Sequence, residues 1–204
     1  KPTVSFGSSL SVEYLSVDIK AVQNGFYLSQ PAYTSDLLAK WSMDECRALG
    51  SLEDVSNVPE PDGEPDPADV RKAQRLAGGL NWLATRTRPD IAFLVSQLAS
   101  AAARCPERAL ALGKKCLRYL AGTRDHGVAL LVDRAHRAER CGKCGKLEAY
   151  GDASYEEGWA QPGVLVKYEG MTVSWKSTKQ VASKLAAPKH FPRGRQDPSR
   201  TADS

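Results

Sequence analysis

Residues 70–86 read VRKAQRLAGGLNWLATR, with apolar side chains recurring every three or four positions, the period of a helix with one buried face. On a wheel of about 100° per residue, Leu76, Leu80, Leu83, Ala73, Ala77 and Ala84 share one arc, the expected core side. The other side carries Arg71, Gln74, Arg75, Gly78, Trp82 and Arg86. Two of these suit a plain wetted surface badly. A tryptophan is not left in water without a reason, and glycine inside a helix costs about 1 kcal/mol relative to alanine. A nucleic acid on this face would account for both. Glycine admits a close backbone, tryptophan stacks on sugar or base, glutamine reaches a groove edge and arginines meet phosphates. The alternative packs Trp82 on a neighbouring helix and makes Gly78 a tight helix crossing. Spacing alone leaves both open.

Asp66 and Pro67 supply a cap and a first turn for this helix. Downstream, Arg88-Pro89 interrupts it and Pro89 starts a second helix, DIAFLVSQLASAAA. Pro106 starts a third, ERALALGKKCLRYLAG, ended by Gly122. On that third helix Arg108, Lys114, Lys115 and Arg118 lie opposite Leu110, Leu117 and Leu120, which reads as a solvated face or as a row of phosphate contacts. Upstream, Val12 to Ser29 alternates as a hairpin, VEYLSVDIKAV and GFYLS, around Gln23-Asn24-Gly25. SQPAYTSDLLAKWSM follows as a short helix with Tyr33, Leu37, Leu38 and Trp41 at helical spacing. SNVPEPDGEPDP, residues 56–67, contains four prolines and reads as a linker. Beyond Gly122 come a strand, GVALLV, a polar connector, and three more strands, LEAYGDAS, GVLVKYEG and MTVSWKS, the last two a hairpin around Glu169-Gly170. Residues 181–204 are rich in Pro, Arg, Ser and Asp and are expected to be disordered.

The 204 residues are 42% hydrophobic and 25% charged, an ordinary globular balance. The net charge of +4 hides a segregation: residues 51–70 hold seven acids and no bases, while residues 71–146 hold sixteen Lys and Arg against five Asp and Glu. That excess suggests a polyanionic partner. No apolar run approaches the roughly eighteen residues of a membrane span, so no membrane partner is expected. Nothing resembles a signal peptide, and five irregularly spaced cysteines fit a reducing compartment, cytoplasmic or nuclear rather than secreted. A chain opening at Lys1 rather than Met suits a piece of something longer.

At QRLAGGLNW, residues 74–82, the chain resembles the thumb helix of retroviral-type reverse transcriptases, in which a Gln, a Gly and a Trp four residues apart track the minor groove of the template–primer duplex. Gln74, Gly78 and Trp82 match that spacing. The order of GFYLSQPAYTSDLLAKWSM, NWLATRTRPDIAFLVSQL, KKCLRYLAGTRDHGVAL, YGDAS and VSWKSTKQ resembles the copia-type long-terminal-repeat retrotransposon Pol polyprotein, over residues 12 to about 180. The resemblance implies a parent that is an RNA-directed DNA polymerase with a ribonuclease H, working with Mg2+. It implies an RNA–DNA or DNA duplex and the rest of the polyprotein as partners. It makes the first hairpin the end of the polymerase palm, where the primer terminus is gripped. Family members usually have Phe-Leu-Gly where this chain has Tyr14-Leu15-Ser16. The family's Tyr-x-Asp-Asp turn occurs nowhere in the chain, so this piece is not expected to polymerise by itself.

The resemblance also makes Asp152, in LEAYGDASYEEGW, the first carboxylate of a ribonuclease H site. Such a site holds two cations about 3.5–4 Å apart and needs several acids. In the family a helix bearing a Glu follows Trp-x-Ser-x-Lys-Gln. Here VASKLAAPKHFPRGRQ follows, with no acid between Glu169 and Asp197 and with Pro188 and Pro192 to break a helix. Glu156 and Glu157 are expected in the loop after Asp152, facing solvent. Asp152 is therefore read as a relic, a metal ligand only if the site were complete, and the fragment needs no cofactor of its own. Cys141 and Cys144, with His136 nearby, make one half of a possible zinc site. Cys105, Cys116 and His126 are remote candidates for the other ligands, and a plain connector is preferred.

The expected fold class is α+β: a β-hairpin plus helix, a three-helix thumb-like segment, then a partial ribonuclease H-like antiparallel sheet. The expected segments are a palm end (1–55), an acidic Pro-rich linker (56–69), a basic helical thumb or connection (70–146), a truncated sheet (147–180) and a tail (181–204). The expected function is template–primer binding within a reverse transcriptase polyprotein, inactive alone. The alternative is a domesticated interaction module that binds a protein or a nucleic acid.

Overall fold

The computed structural model describes residues 3–6, 10–52, 64–131, 145–156 and 159–181. Four strands come first: β1 (Thr3–Phe6), β2 (Leu10–Tyr14), β3 (Val17–Val22) and β4 (Gly25–Ser29), each antiparallel to the next. The long strand expected over VEYLSVDIKAV is two strands. Tyr14 pairs with Val17, and the two residues between, Leu15 and Ser16, take φ of 51° and 59°. Such a two-residue turn twists in the same sense as the strands that it joins. Strand alternation carries straight across the turn, and neither residue is one that favours positive φ, so periodicity could not see it.

Helix α1 (Pro31–Lys40) follows, then α2 (Pro67–Arg86), a 3-10 turn (Pro89–Ile91), α3 (Ala92–Ala101) and α4 (Pro106–Gly122). The Asp66 carboxylate accepts the Ala68 N–H at 2.8 Å and so caps α2, with Pro67 at the first turn where no donor is lost. The helix thus begins three residues inside the expected 56–69 linker, of which residues 56–63 lie outside the described part. Its buried residues are Ala73, Leu76, Ala77, Leu80, Leu83 and Ala84, the arc expected from the wheel. They pack against Leu37 and Leu38 of α1, Leu94, Val95 and Leu98 of α3, and Leu112, Leu117 and Leu120 of α4.

After α4 the chain returns as β5 (Gly127–Leu131), which pairs antiparallel with β4 from Gly25–Leu131 to Ser29–Gly127. The first sheet therefore has five strands rather than a lone hairpin. Segments expected as a palm end and a separate helical unit share one core and one sheet. The second sheet contains β6 (Leu147–Glu156), β7 (Trp159–Tyr168), β8 (Met171–Ser177) and β9 (Gln180–Val181), with β7 central. Glu156 ends β6 rather than lying in a loop, and its side chain is outside the description, as is Glu157. Register places Tyr150, Asp152, Gln161, Leu165, Trp175 and Ser177 on one face of this sheet. Helices reach this face: the Trp175 indole N–H donates to the Ala84 carbonyl near the end of α2, and Gln161 donates to Ser96 of α3 at 3.0 Å. Val173 is exposed and Leu165 half-buried.

Candidate nucleic-acid interface

The face of α2 opposite the core is built by the same periodicity that buries the leucines. Arg71, Gln74, Arg75, Gly78 and Arg86 are exposed and Trp82 is half-buried. A methyl group added at Gly78 would meet nothing within 4 Å, so Gly78 is not a helix crossing. The crossings lie elsewhere. A Cβ at Gly79 would stand 2.9 Å from Leu37 of α1, whose Tyr33 hydroxyl donates to the Gly79 carbonyl at 3.2 Å. A Cβ at Gly113 of α4 would stand 2.1 Å from Leu76 Cδ2. Two adjacent glycines, 78 and 79, thus do opposite jobs, and the wheel position of Gly79 beside the buried arc was the signal for its role.

Trp82 is absent from the core. The Arg86 guanidinium lies 4.6 Å from its ring centroid, a cation–π contact between successive turns of α2. A groove of about 680 Å3 runs beside it, walled by α1, the Leu15–Ser16 turn and α2. Tyr33, Lys40, Arg75 and Gly78 line it, with one carboxylate, Asp36. On its far side Trp82 borders a second cavity of about 350 Å3, shared with Ile19 and Leu28 of the first sheet and with Val173 and Trp175 of β8.

The row on α4 fares differently. Lys114 is exposed, and Arg108 and Lys115 are half-buried. Arg118 is half-buried and its Nε donates to the Arg47 carbonyl at 2.9 Å, while its own carbonyl accepts the Leu49 N–H. Arg118 ties the loop after α1 to α4, which the charge pattern alone did not reveal.

Sequence reasoning also missed the most buried cation. Arg88 is 1% exposed. Its guanidinium grips Asp90 with Nε–Oδ1 at 3.0 Å and Nη2–Oδ2 at 2.7 Å, and it donates to the carbonyl and hydroxyl of Thr123, each at 2.8 Å. The Tyr119 hydroxyl donates to Asp90 at 3.0 Å. Burial pushes the Asp90 carboxyl up, but the Arg88 hydrogen bonds and charge and the Tyr119 hydroxyl outweigh it, and the carboxyl sits below its ordinary range. Burial raises the Tyr119 hydroxyl, with the Asp90 charge acting the same way, and pushes the neighbouring Cys116 thiol up to about 12. This network joins the end of α2 to the end of α4. Its signal was the pairing of Arg88 with Asp90 around a helix-breaking proline.

Asp152 is exposed on the second sheet, in a cavity of about 1020 Å3 that it shares with Phe93 and Tyr150. Its Oδ1 accepts the Ala153 N–H at 2.8 Å. Among the described residues no group of three or more His, Cys, Asp or Glu could hold a metal ion. As placed, Asp152 does not fit a two-cation centre. Cys105 and Cys116 are buried as free thiols, while His136, Cys141 and Cys144 lie outside the described residues.

The chain is 31% identical over 174 residues, 82% of its length, to the retrovirus-related Pol polyprotein from transposon RE2 of Arabidopsis thaliana. It is 30% identical over 171 residues to that from transposon RE1 of the same plant. The chain belongs to the retrovirus-related Pol polyproteins of transposons. It spans 11% of the length of either of these polyproteins. This piece of Pol is also 38% identical over 108 residues to the secreted RxLR effector protein 161 of Plasmopara viticola, half of this chain and 69% of that protein. No protein-family profile matches the Pol chain, and no solved structure does. Among its described residues no helix is long and apolar enough to cross a membrane.

Proposed function

We propose that this piece of Pol is the thumb-like part of a copia-type reverse transcriptase, running into an incomplete ribonuclease H-like sheet, and that it binds the template–primer duplex without catalysis of its own. One observation carries the reading. Gln74, Gly78 and Trp82 stand in line on the outer face of α2, Gly78 with open space above it and Trp82 in cation–π contact with Arg86 beside a groove. Open space above a helical glycine lets a sugar–phosphate backbone approach, and a half-exposed indole offers a stacking surface. Arg71, Arg75 and Arg86 supply the phosphate contacts, with Lys114 and Lys115 further off on α4. Mg2+ belongs to the whole parent enzyme. Among the described residues Asp152 has none of the partners that a two-cation site needs. The compartment that suits this reading is intracellular.

The test is Trp82→Ala in the full chain. Binding to an RNA–DNA hybrid is expected to weaken by about 1–3 kcal/mol, with little change in melting temperature because the side chain lies outside the core. A stability loss of about 3–5 kcal/mol with binding unchanged in the folded fraction would return Trp82 to a packing role. Binding that does not weaken with salt would point to a protein partner instead.

A further inference from the structure

We propose that Asp36, on the α1 wall of the groove beside Trp82, accepts a hydrogen bond from a ribose 2′-hydroxyl and makes the groove a site for an RNA strand rather than a DNA strand. This rests on the template–primer reading of α2 and names the strand that the face takes; the experiment below separates the two.

The charged groups of the groove do not satisfy one another. Helix α1 brings Asp36 and Lys40 to it, and α2 brings Arg75. On the helical wheel Tyr33, Asp36 and Lys40 fall within about 60° of one another, on the flank of α1 beside the buried Leu37. Asp36, Lys40 and Arg75 are exposed, and none makes a hydrogen bond or an ion pair among the described residues. Asp36 and Lys40 are four apart on one helix, the spacing at which opposite charges can pair, yet that pair stays open. The Tyr33 hydroxyl gives its proton to the Gly79 carbonyl at 3.2 Å. Two cationic donors and one acceptor-only carboxylate therefore face whatever enters.

A DNA backbone answers only half of this. Its phosphate and sugar oxygens are all acceptors, which suits Lys40 and Arg75 but gives Asp36 like charge and no donor. Ribose adds one O–H to each nucleotide, and that group is how a protein tells RNA from DNA at a given site. It is displayed in the wide, shallow minor groove of A-form helices, on the sugar side that the open space above Gly78 admits. Lys40 stands one turn from Asp36, about 6 Å along α1, so one nucleotide can give its hydroxyl to the carboxylate and its phosphate to the ammonium. The other minor-groove donor is the guanine amine. Cations on both sides of Asp36 set it at the level of phosphates and sugars rather than base edges, which selects the ribose.

The experiment measures binding to the full chain by fluorescence anisotropy, with three labelled duplexes of one sequence. They are an RNA–DNA hybrid, the same hybrid with 2′-fluoro in place of every ribose hydroxyl, and the all-DNA duplex. Inosine replaces guanine throughout, so no guanine amine is present. The unaltered chain is expected to bind the hybrid about tenfold more tightly than either of the others. Asp36→Ala is expected to bind all three alike. Asp36→Asn keeps an acceptor oxygen without the charge and is expected to retain most of the preference. Loss of the charge raises affinity for every probe in both variants, so the preference rather than the affinity is the readout. Equal binding of the hybrid and its 2′-fluoro form by the unaltered chain would reduce any preference to duplex shape and overturn the proposal. That comparison needs no variant, so it decides even if a variant melts early. A preference that survives in Asp36→Ala would also overturn it, and a loss for all three probes in Trp82→Ala would then leave the α2 reading intact. No duplex binding by the unaltered chain would end both.

Discussion

The helical unit and the second sheet are built on opposite economies of burial. Between Leu37 and Val128 lie all the buried hydrophobic side chains found among the described residues, and α2, α3 and α4 supply most of them. In the second sheet the one buried side chain among the described residues is a glutamine, Gln161, while Leu147, Tyr150, Val164 and Val173 are exposed. Burial of apolar area is the main stabilising term in folding, so the helices can hold themselves together and the sheet leans on them through Trp175 and Gln161. The difference teaches where function can reside. A rigid helical face presents Gln74, Gly78 and Trp82 at fixed spacing, whereas the sheet that bears Asp152 is held by few contacts.

The largest expected effect lies in the helical unit. Asp90→Ala would leave the Arg88 charge buried against neutral oxygens only, at a cost of about 3–5 kcal/mol by denaturant melts. Arg88→Met should cost less, since Asp90 at 35% side-chain exposure can recover water. The Asp90 carboxyl is depressed from its ordinary value of 3.8, so its contribution is present above that pH and is lost as pH falls through the depressed value. Asp90→Asn should flatten the acid limb of stability. An acid limb unchanged in that variant would remove the network from the forces that set the helical unit apart.

Next in size is Trp175→Ala, which frees the second sheet from α2. Amide exchange in residues 159–177 should accelerate in line with a local loss of about 1–3 kcal/mol, while protection in α2–α4 holds. Equal acceleration in both would make the chain one cooperative unit and break the comparison. The smallest effect concerns the first sheet. Ser16 is in the left-handed region at φ 59°, where glycine avoids a penalty of about 1 kcal/mol. Ser16→Gly should therefore raise the melting temperature of the helical unit slightly, because β4 and β5 tie that sheet to α1 and α4. Its failure to do so would detach the first sheet from the helical unit.

The helical part of the fold was legible because its signals are local. The Asp66 cap, the prolines that start α2 and α4, and the buried arc of α2 all act within one or two helical turns. So were the outward positions of Gln74, Gly78 and Trp82, which follow from the same 3.6-residue repeat. The strand expected over GVALLV was legible as a strand, but its partner β4 lies about a hundred residues back and carries no local mark. Whether a charge faces solvent or the interior was equally hidden. Arg71 and Arg88 look alike in sequence, yet one is exposed and the other meets Thr123, 35 residues away. Arg118 is likewise claimed by the Arg47 carbonyl, 71 residues away. The sequence by itself determined which face of each helix is apolar, since hydrophobic periodicity is set residue by residue along the chain. Only the tertiary structure decided which glycine is a crossing, which arginine is spent inside and what covers Trp175, because each depends on a partner that folding brings from a distant segment.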